Sequence, residues 1–239
     1  MKQIVYCCLI VLSLFASCKK ENNNENTKTE KINAPGFGTS TAAFTGINWQ
    51  LPQGIVLKDS IRESSWWTDV HGGTAISIGD FGGLPGGAFT VCLYLQNTTG
   101  QTITIQFPQE LLIFSNTIHT QNGVIISLGT ITIPAHSEKV VIAGAFCINL
   151  QRSVPDLHTD QGNLQAFSFG PATVPAQLKE ISDILKPKNI TYKSITTPGG
   201  SVDPTRMAKL TIIQSAIWDA TDGEGITAET KDALRSINL

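Results

Sequence analysis

The periodicity of apolar residues changes near residue 150, and this change constrains the fold of the chain more than any other feature. Before it, three segments alternate strictly between apolar and polar residues, as half-buried β-strands do: 89–95, 102–107 and 129–133. After it, apolar residues recur every three to four positions, which indicates helices. The sequence therefore predicts a mainly β fold, an immunoglobulin-like antiparallel β-sandwich, followed by a small helical C-terminal region.

Start and stop signals define the helices of the second half. One helix is predicted over 175–185, where Leu178, Ile181 and Leu185 share a face, and Pro187 stops it. A second helix begins after Asp203, which is a good N-cap before a proline, and ends near Gly223. Its apolar stripe is predicted to consist of Met207, Leu210, Ile213, Ile217 and Trp218. A last short helix is predicted after Thr227.

The first residues of the chain have the features of an export signal. Lys2 precedes an apolar run over 4–14, and the small residues Ala16 and Ser17 precede Cys18. The run is too short to span a bilayer as a helix. These residues resemble a bacterial lipobox, with Phe15 where leucine is more common, and the resemblance implies cleavage before Cys18 and diacylation of its thiol. The alternative is an ordinary secretory signal with a coincidental cysteine.

This interpretation divides the chain into four parts. Residues 1–17 are the expected signal peptide, and residues 18–35 are the lipidated cysteine with a disordered tether, because that stretch is too polar to bury much surface. Residues 36–150 form the predicted sandwich and residues 151–239 the predicted helical region. We therefore expect a lipoprotein of the bacterial cell envelope, anchored by lipid at the outer membrane and exposed at the cell surface.

Charge and cysteine content limit the possible partners and the chemistry of the folded part. From residue 36 onward the chain has 12 Lys and Arg against 16 Asp and Glu, without a basic block, so a nucleic acid partner is not expected. Cys7 and Cys8 leave with the signal and Cys18 is lipidated. Cys92 and Cys147 are then the only thiols of the folded part, and two cysteines in an exported chain need an explanation.

Cys147 and Gln214 stand out within their own elements. In the predicted strand 138–150, Cys147 lies on the lighter face beside Val141, Ala143 and Ala145, where another element has room to pack closely. Gln214 lies inside the apolar stripe of the second helix, four residues before Trp218. An amide on an apolar face needs a hydrogen-bonding partner or a function.

The residues around this pair resemble the two motifs of bacterial thioester domains. Phe146-Cys147-Ile148 matches the aromatic-Cys-aliphatic motif, and the helical segment 214–218 matches Gln-x-Ala-Ile-Trp. In that family of surface adhesins, the Cys and Gln side chains condense with loss of ammonia, and the resulting thioester captures a nucleophile on another surface. The resemblance implies a thioester between Cys147 and Gln214 in a thioester-domain-like region over 151–239. Phe146, Ile217 and Trp218 would shield the bond from water.

We accordingly expect a binding or adhesion module and not a turnover enzyme. Its partners would be the membrane, through the lipid anchor, and a surface protein or glycan. No catalytic residue, metal ligand or cofactor is assigned. Two alternatives stay open. The first is a non-covalent envelope lipoprotein, in which Cys92 pairs with Cys147 or Gln214 serves only as an interface amide. The second is a hydrolase whose site is not recognisable.

Overall fold

The structure is a computed structural model that describes residues 28–63, 89–126, 129–154, 166–188 and 203–238. Nine strands and three helices lie within this described part. The strands are β1 (Ile55–Leu57), β2 (Arg62–Glu63), β3 (Phe89–Asn97), β4 (Ile103–Gln106), β5 (Glu110–Ser115), β6 (Gly123–Ile126), β7 (Thr130–Ile133), β8 (Glu138–Cys147) and β9 (Phe167–Phe169). The helices are α1 (Ala176–Leu185), α2 (Pro204–Thr221) and α3 (Ala228–Ser236). None of these helices is long and apolar enough to cross a membrane.

The strands form two antiparallel sheets. The larger sheet has seven strands in the order β1-β3-β8-β6-β5-β9, with β2 also paired to β3, and the smaller sheet consists of β4 and β7. The predicted fold class is confirmed: a mainly β sandwich carries a small, mostly C-terminal helical region. The alternating segments predicted from sequence form β3, β4 and β7. Strict alternation identified them because one face of each strand is more buried than the other.

Two apolar cores meet at the end of β8. The first core joins side chains of both sheets, and β8 contributes Val141, Ile142, Ala143, Ala145 and Cys147 to it. The second core joins the large sheet to the helices, and β8 leads into it with Phe146 and, just beyond the strand, Ile148. The element that packs beside these small residues is the smaller sheet, and α2 reaches the same core through Trp218. The small residues fit the crowded space between the sheets, whereas larger side chains fill the space under the helices.

The helix boundaries agree with their sequence signals. The Asp203 carboxylate accepts hydrogen bonds from the amides of Thr205 and Arg206, at 2.8 and 3.3 Å, and α2 starts at the following proline. At the other end, the amides of Asp222 and Gly223 both donate to the carbonyl of Trp218. The stripe of α2 differs from the prediction at Met207, which is 44% exposed because it lies in the first turn, before the helix reaches the sheet.

The N-terminal segment 28–38, here called the strap, is packed on the helices. Thr29 exchanges two backbone hydrogen bonds of 2.9 Å with Ile226, and Ile32 is buried with its amide bonded to the carbonyl of Ala220. Residues 28–35 were expected to belong to a disordered tether, and the structure corrects this. Burial of the single isoleucine of that stretch and the backbone hydrogen bonds of the strap stabilise its packing on the helices. The polar composition of the stretch does not indicate either contact. Residues 18–27 lie outside the described residues.

Gly225 allows the strap to approach the end of α2 closely. Its φ is +96°, and a Cβ atom there would lie 1.8 Å from the carbonyl oxygen of Thr29. We therefore expect Gly225→Ala to lower the free energy of unfolding by at least about 2 kcal/mol, from backbone strain and displacement of the strap. Urea denaturation would measure it. Gly100→Ala is the control, since the nearest atom to its Cβ is 3.7 Å away, and equal stability losses in the two variants would contradict the strap contact.

Candidate functional site

The structure brings the predicted pair together: the side chain of Gln214 binds the main chain of Cys147. The Cys147 amide donates to Oε1 of Gln214 at 2.9 Å, and Nε2 of Gln214 donates to the Cys147 carbonyl at 2.8 Å. Cys147 is fully buried and Gln214 is 6% exposed. Each polar group of the carboxamide thus has a partner in a site with little access to water, and the unusual amide on an apolar helix face is explained.

The register of β8 leaves these two main-chain groups available. Cys147 lies opposite Gly123 of β6, and the amide of Ile148 donates to the carbonyl of Asn122 at 3.1 Å. In an antiparallel ladder this makes Cys147 and Gly123 a non-hydrogen-bonded pair, so the amide and carbonyl of Cys147 point away from β6. On that other side, the described pairing of β8 with β3 runs as far as Ala145, opposite Phe89, the first described residue of β3. Gln214 takes the place of a strand residue beside Cys147.

This pairing fixes the carboxamide of Gln214 relative to the main chain of Cys147. A carboxamide bonded edge-on to a strand lies close to the plane of the sheet, whereas the side chain of a strand residue stands roughly perpendicular to that plane. The hydrogen bonds thus hold the Gln214 carboxamide beside the residue that carries the thiol. The Cys147 amide already binds Oε1, where negative charge develops when a nucleophile adds to the Gln214 carbonyl. The arrangement places next to each other the two residues that a thioester would require.

Burial controls the protonation of the thiol. It raises the pKa of Cys147 to about 12, so the thiol is protonated at neutral pH. A protonated thiol is a weak nucleophile, and attack on Gln214 requires loss of its proton in the same step or before it. The same environment makes the thiolate a costly leaving group, so a bond formed there would break slowly unless the sulfur is protonated again.

The three predicted shielding residues pack in the two cores that meet at the end of β8. Phe146 and Ile217 are fully buried in the second core, on the helix side of β8. Trp218 is partly buried and packs against the first core, to which Cys147 also belongs. Its indole Nε1 is buried and has no hydrogen-bonding partner among the described residues. Phe146 and Ile217 thus belong to one core and Trp218 packs against the other, and the shielding of the pair by these residues stays a prediction.

Cys92 lies too far away to form a disulfide with Cys147. It is opposite Ile142 in the β3–β8 ladder, five residues before Cys147 along β8. At the rise of a strand this separation is roughly 16 Å, whereas a disulfide needs Cα atoms within about 7 Å. Both thiols are free and buried, and the alternative with a Cys92–Cys147 bridge is wrong. The two cysteines of the folded part have separate environments.

A buried amide network holds the chain that follows Cys147, and the sequence reading missed it. Asn149 donates to the carbonyls of Gly36 and Gly38 in the strap at 3.1 and 2.8 Å, and accepts from the amide of Asn122 at 2.9 Å. Asp222, just after α2, accepts from the amide of Leu150 at 3.1 Å. The signal that could have revealed the network is an asparagine at the end of an apolar strand, since a buried amide needs partners.

Acidic side chains at the end of α2 have structural partners. Asp219 accepts from the Thr230 hydroxyl at 3.2 Å, and Asp222 binds both Thr221 and Leu150. Within the described ranges, no group of three or more His, Cys, Asp or Glu side chains is placed to hold a metal ion. These carboxylates therefore join the last turn of α2 to α3 and to the end of β8.

The two hydrogen bonds between Gln214 and Cys147 predict that replacing Gln214 destabilises the fold. Gln214→Met keeps the size of the side chain but leaves the buried amide and carbonyl of Cys147 unpaired, so we expect a loss of about 2–4 kcal/mol in the free energy of unfolding. Ser215→Met is the matched control on the exposed side of the same helix turn and should cost less than about 0.5 kcal/mol. Chemical denaturation would compare them, and similar midpoints for the two variants would contradict the structural role of Gln214.

In comparisons with protein-family models, curated proteins and solved structures, no match to this chain was found.

Proposed function

We propose that the protein is a lipid-anchored envelope protein that acts as a binding or adhesion module through an internal thioester between Cys147 and Gln214. The observation that supports this most is the pair of hydrogen bonds that joins the Gln214 carboxamide to Cys147. They hold the acyl carbon beside the residue that carries the thiol, and a fixed encounter of this kind supplies much of what an acyl transfer needs.

The bond would form by a balanced exchange. Sulfur of Cys147 adds to Cδ of Gln214, the bond between Cδ and Nε2 breaks, and ammonia leaves with the proton of the thiol. The Cys147 amide, 2.9 Å from Oε1, would stabilise the tetrahedral intermediate. The Cys147 carbonyl, bound to Nε2, would orient the leaving nitrogen. The buried surroundings would protect the product from hydrolysis.

Capture of a partner would be a second acyl transfer at the same carbon atom, with sulfur as the leaving group. An amine or hydroxyl of the partner attacks Cδ of Gln214, the S–Cδ bond breaks, and Cys147 becomes a thiol again. The partner stays attached through an amide or ester, and the nitrogen lost as ammonia is not restored. The protein would thus react once, which is a binding function and not catalytic turnover. A lysine amine on a surface protein or a hydroxyl on a glycan fits this chemistry.

The lipid anchor completes the proposal. Because residues 28–35 belong to the packed strap, at most residues 18–27 are left as a tether after Cys18. A flexible chain of that length has a root-mean-square reach of roughly 15–20 Å, so the anchor would keep the folded part close to the outer membrane. A module held there could attach its own cell to a neighbouring surface.

The experiment that tests this function is incorporation of isotopically labelled methylamine. The purified chain should take up one methylamine at Gln214, located by peptide mass spectrometry, with release of one free thiol at Cys147. The competing interpretation is a non-covalent protein- or glycan-binding lipoprotein in which Gln214 is only an interface amide, and the complete pairing of its polar atoms is compatible with that role. In that case no label would be incorporated.

A separate prediction concerns the anchor. Cys18→Ala should abolish fatty acid labelling and release the protein from the membrane fraction, because the diacylated thiol would be absent. Metabolic labelling followed by membrane fractionation would measure both. Cys92→Ala serves as the control, since that thiol is buried in the folded part. Equal labelling of the Cys18→Ala chain and the parent would remove the lipoprotein assignment.

A further inference from the structure

A second site lies where the end of β5, the residue before β6 and the chain after β8 meet. Gln214 approaches β8 on the side of β3, whereas β6 and β5 follow on the other side. Against the end of β5 and Asn122 is a cavity of about 350 Å³, here called the Arg152 pocket. Its walls include Phe44, Phe114, Asn116, Thr117, Ile118 and Arg152. This volume falls within the range of small-molecule sites.

The side chain of Arg152 is held by main-chain oxygens. Its guanidinium donates to the backbone carbonyls of Thr120 and Ser40, which fix its position without neutralising it. Among the described residues, no carboxylate lies within ion-pair distance of Arg152, although all the other arginines in this part of the chain have one. Burial lowers the pKa of Arg152, with the more distant Asp222 acting in the opposite direction. A partly buried cation of this kind favours an anionic ligand.

The rest of the wall is suited to a compact apolar group. Phe44 and Phe114 meet edge to face with ring centroids 6.4 Å apart, and Ile118 is 59% exposed at the rim. Exposed apolar side chains also occur at Leu150 and Val154, two residues to either side of Arg152. Apolar surface beside a positioned cation is the arrangement that binds amphipathic anions.

We propose that the Arg152 pocket binds a carboxylate carried by a compact apolar group, with the carboxylate on Arg152 and the apolar group against Phe44 and Phe114. This site is independent of the thioester and would give the protein a reversible recognition step. The carboxylate could belong to a free acid or to a peptide C-terminus, and the two sources can be distinguished by experiment.

The test is a ligand-observed NMR titration of the purified full-length protein with 3-phenylpropanoate. For a probe of this size we expect a Kd of about 1 mM. The uncharged 3-phenylpropanamide should bind about tenfold more weakly, and Arg152→Gln should remove this preference for the acid. Arg235→Gln, a change in α3, is the matched control and should bind as the parent does. Equal binding of acid and amide by the parent would overturn the proposal.

A second variant tests the proposal even if Arg152→Gln does not fold. Ile118→Asp changes an exposed side chain of the wall and places a negative charge at the rim, so it should weaken the acid about tenfold more than the amide. Unchanged acid binding in this variant would also overturn the proposal. Gly-Gly-Phe with a free carboxylate forms the second arm: tighter binding of the peptide indicates a C-terminal ligand, tighter binding of 3-phenylpropanoate a free acid, and binding of neither contradicts the site.

Discussion

A chain that ends at Lys188 should lose cooperative unfolding, although it keeps all nine strands and α1. The deletion removes six large apolar side chains that are almost fully buried in the second core: Leu210, Ile213, Ile217, Ile226, Leu234 and Ile237. At about 1.5–3 kcal/mol for each, the loss is roughly 9–18 kcal/mol. Total stabilities of domains are about 5–15 kcal/mol. The truncated chain should therefore be unfolded or aggregated.

Circular dichroism during thermal unfolding would measure this. Deleting residues 1–27 is the matched control, because the strap from Lys28 onward is intact, and that chain should melt like the parent. A Lys188-terminated chain with a sharp transition at the temperature of the parent would show that the sandwich is an independent domain. It would also remove the structural reason for holding Gln214 against Cys147.

The second large effect concerns the pair itself: Cys147→Ser and Gln214→Glu should each abolish methylamine incorporation. Serine keeps the main-chain groups that bind Gln214 but lacks the thiol, so the reaction is lost, and burial of the hydroxyl among apolar side chains should cost about 1–3 kcal/mol of stability. Glutamate keeps the shape of glutamine but has no ammonia to release. An oxygen ester does not form in its place, because the hydroxyl is much less acidic than a thiol.

Cys92→Ser is the control for these variants. The strand register keeps Cys92 away from Gln214, so its replacement should leave methylamine incorporation at the level of the parent. Incorporation that persists in Cys147→Ser, or that disappears in Cys92→Ser, would contradict the assignment of Cys147 as the thiol partner. A parent chain that incorporates no amine leaves Gln214 as a structural amide.

The fold class and the helix ends were predictable because local signals determine them. Asp203 followed by proline specifies the start of α2 through its side-chain cap, and the apolar face of Leu178, Ile181 and Leu185 is buried in α1 as predicted. The packing of β8 was less predictable. Both faces of this strand are apolar near its end, so alternation alone could not say which face meets α2.

Two other features depend on contacts between distant residues. The strap is polar in sequence, and its order comes from backbone pairing with Ile226 and burial of one side chain, Ile32. The motif residues Cys147 and Gln214 could be proposed as partners from the sequence. The sequence could not show that Gln214 binds the main chain of Cys147, because this contact depends on the register between Cys147 and Gly123. Long-range register is a property of the assembled sheet.

The most direct test of the thioester is the intact mass of the native protein, measured on the chain that begins at Lys28. We predict a mass lower by one ammonia than the sequence requires, restored to the full sequence mass in both Cys147→Ser and Gln214→Glu after allowance for the substitution. Treatment with methylamine should raise the mass of the parent by one methylamine and expose one thiol. A parent mass equal to that of the unmodified sequence would contradict the thioester and leave Gln214 as a hydrogen-bonding partner of Cys147.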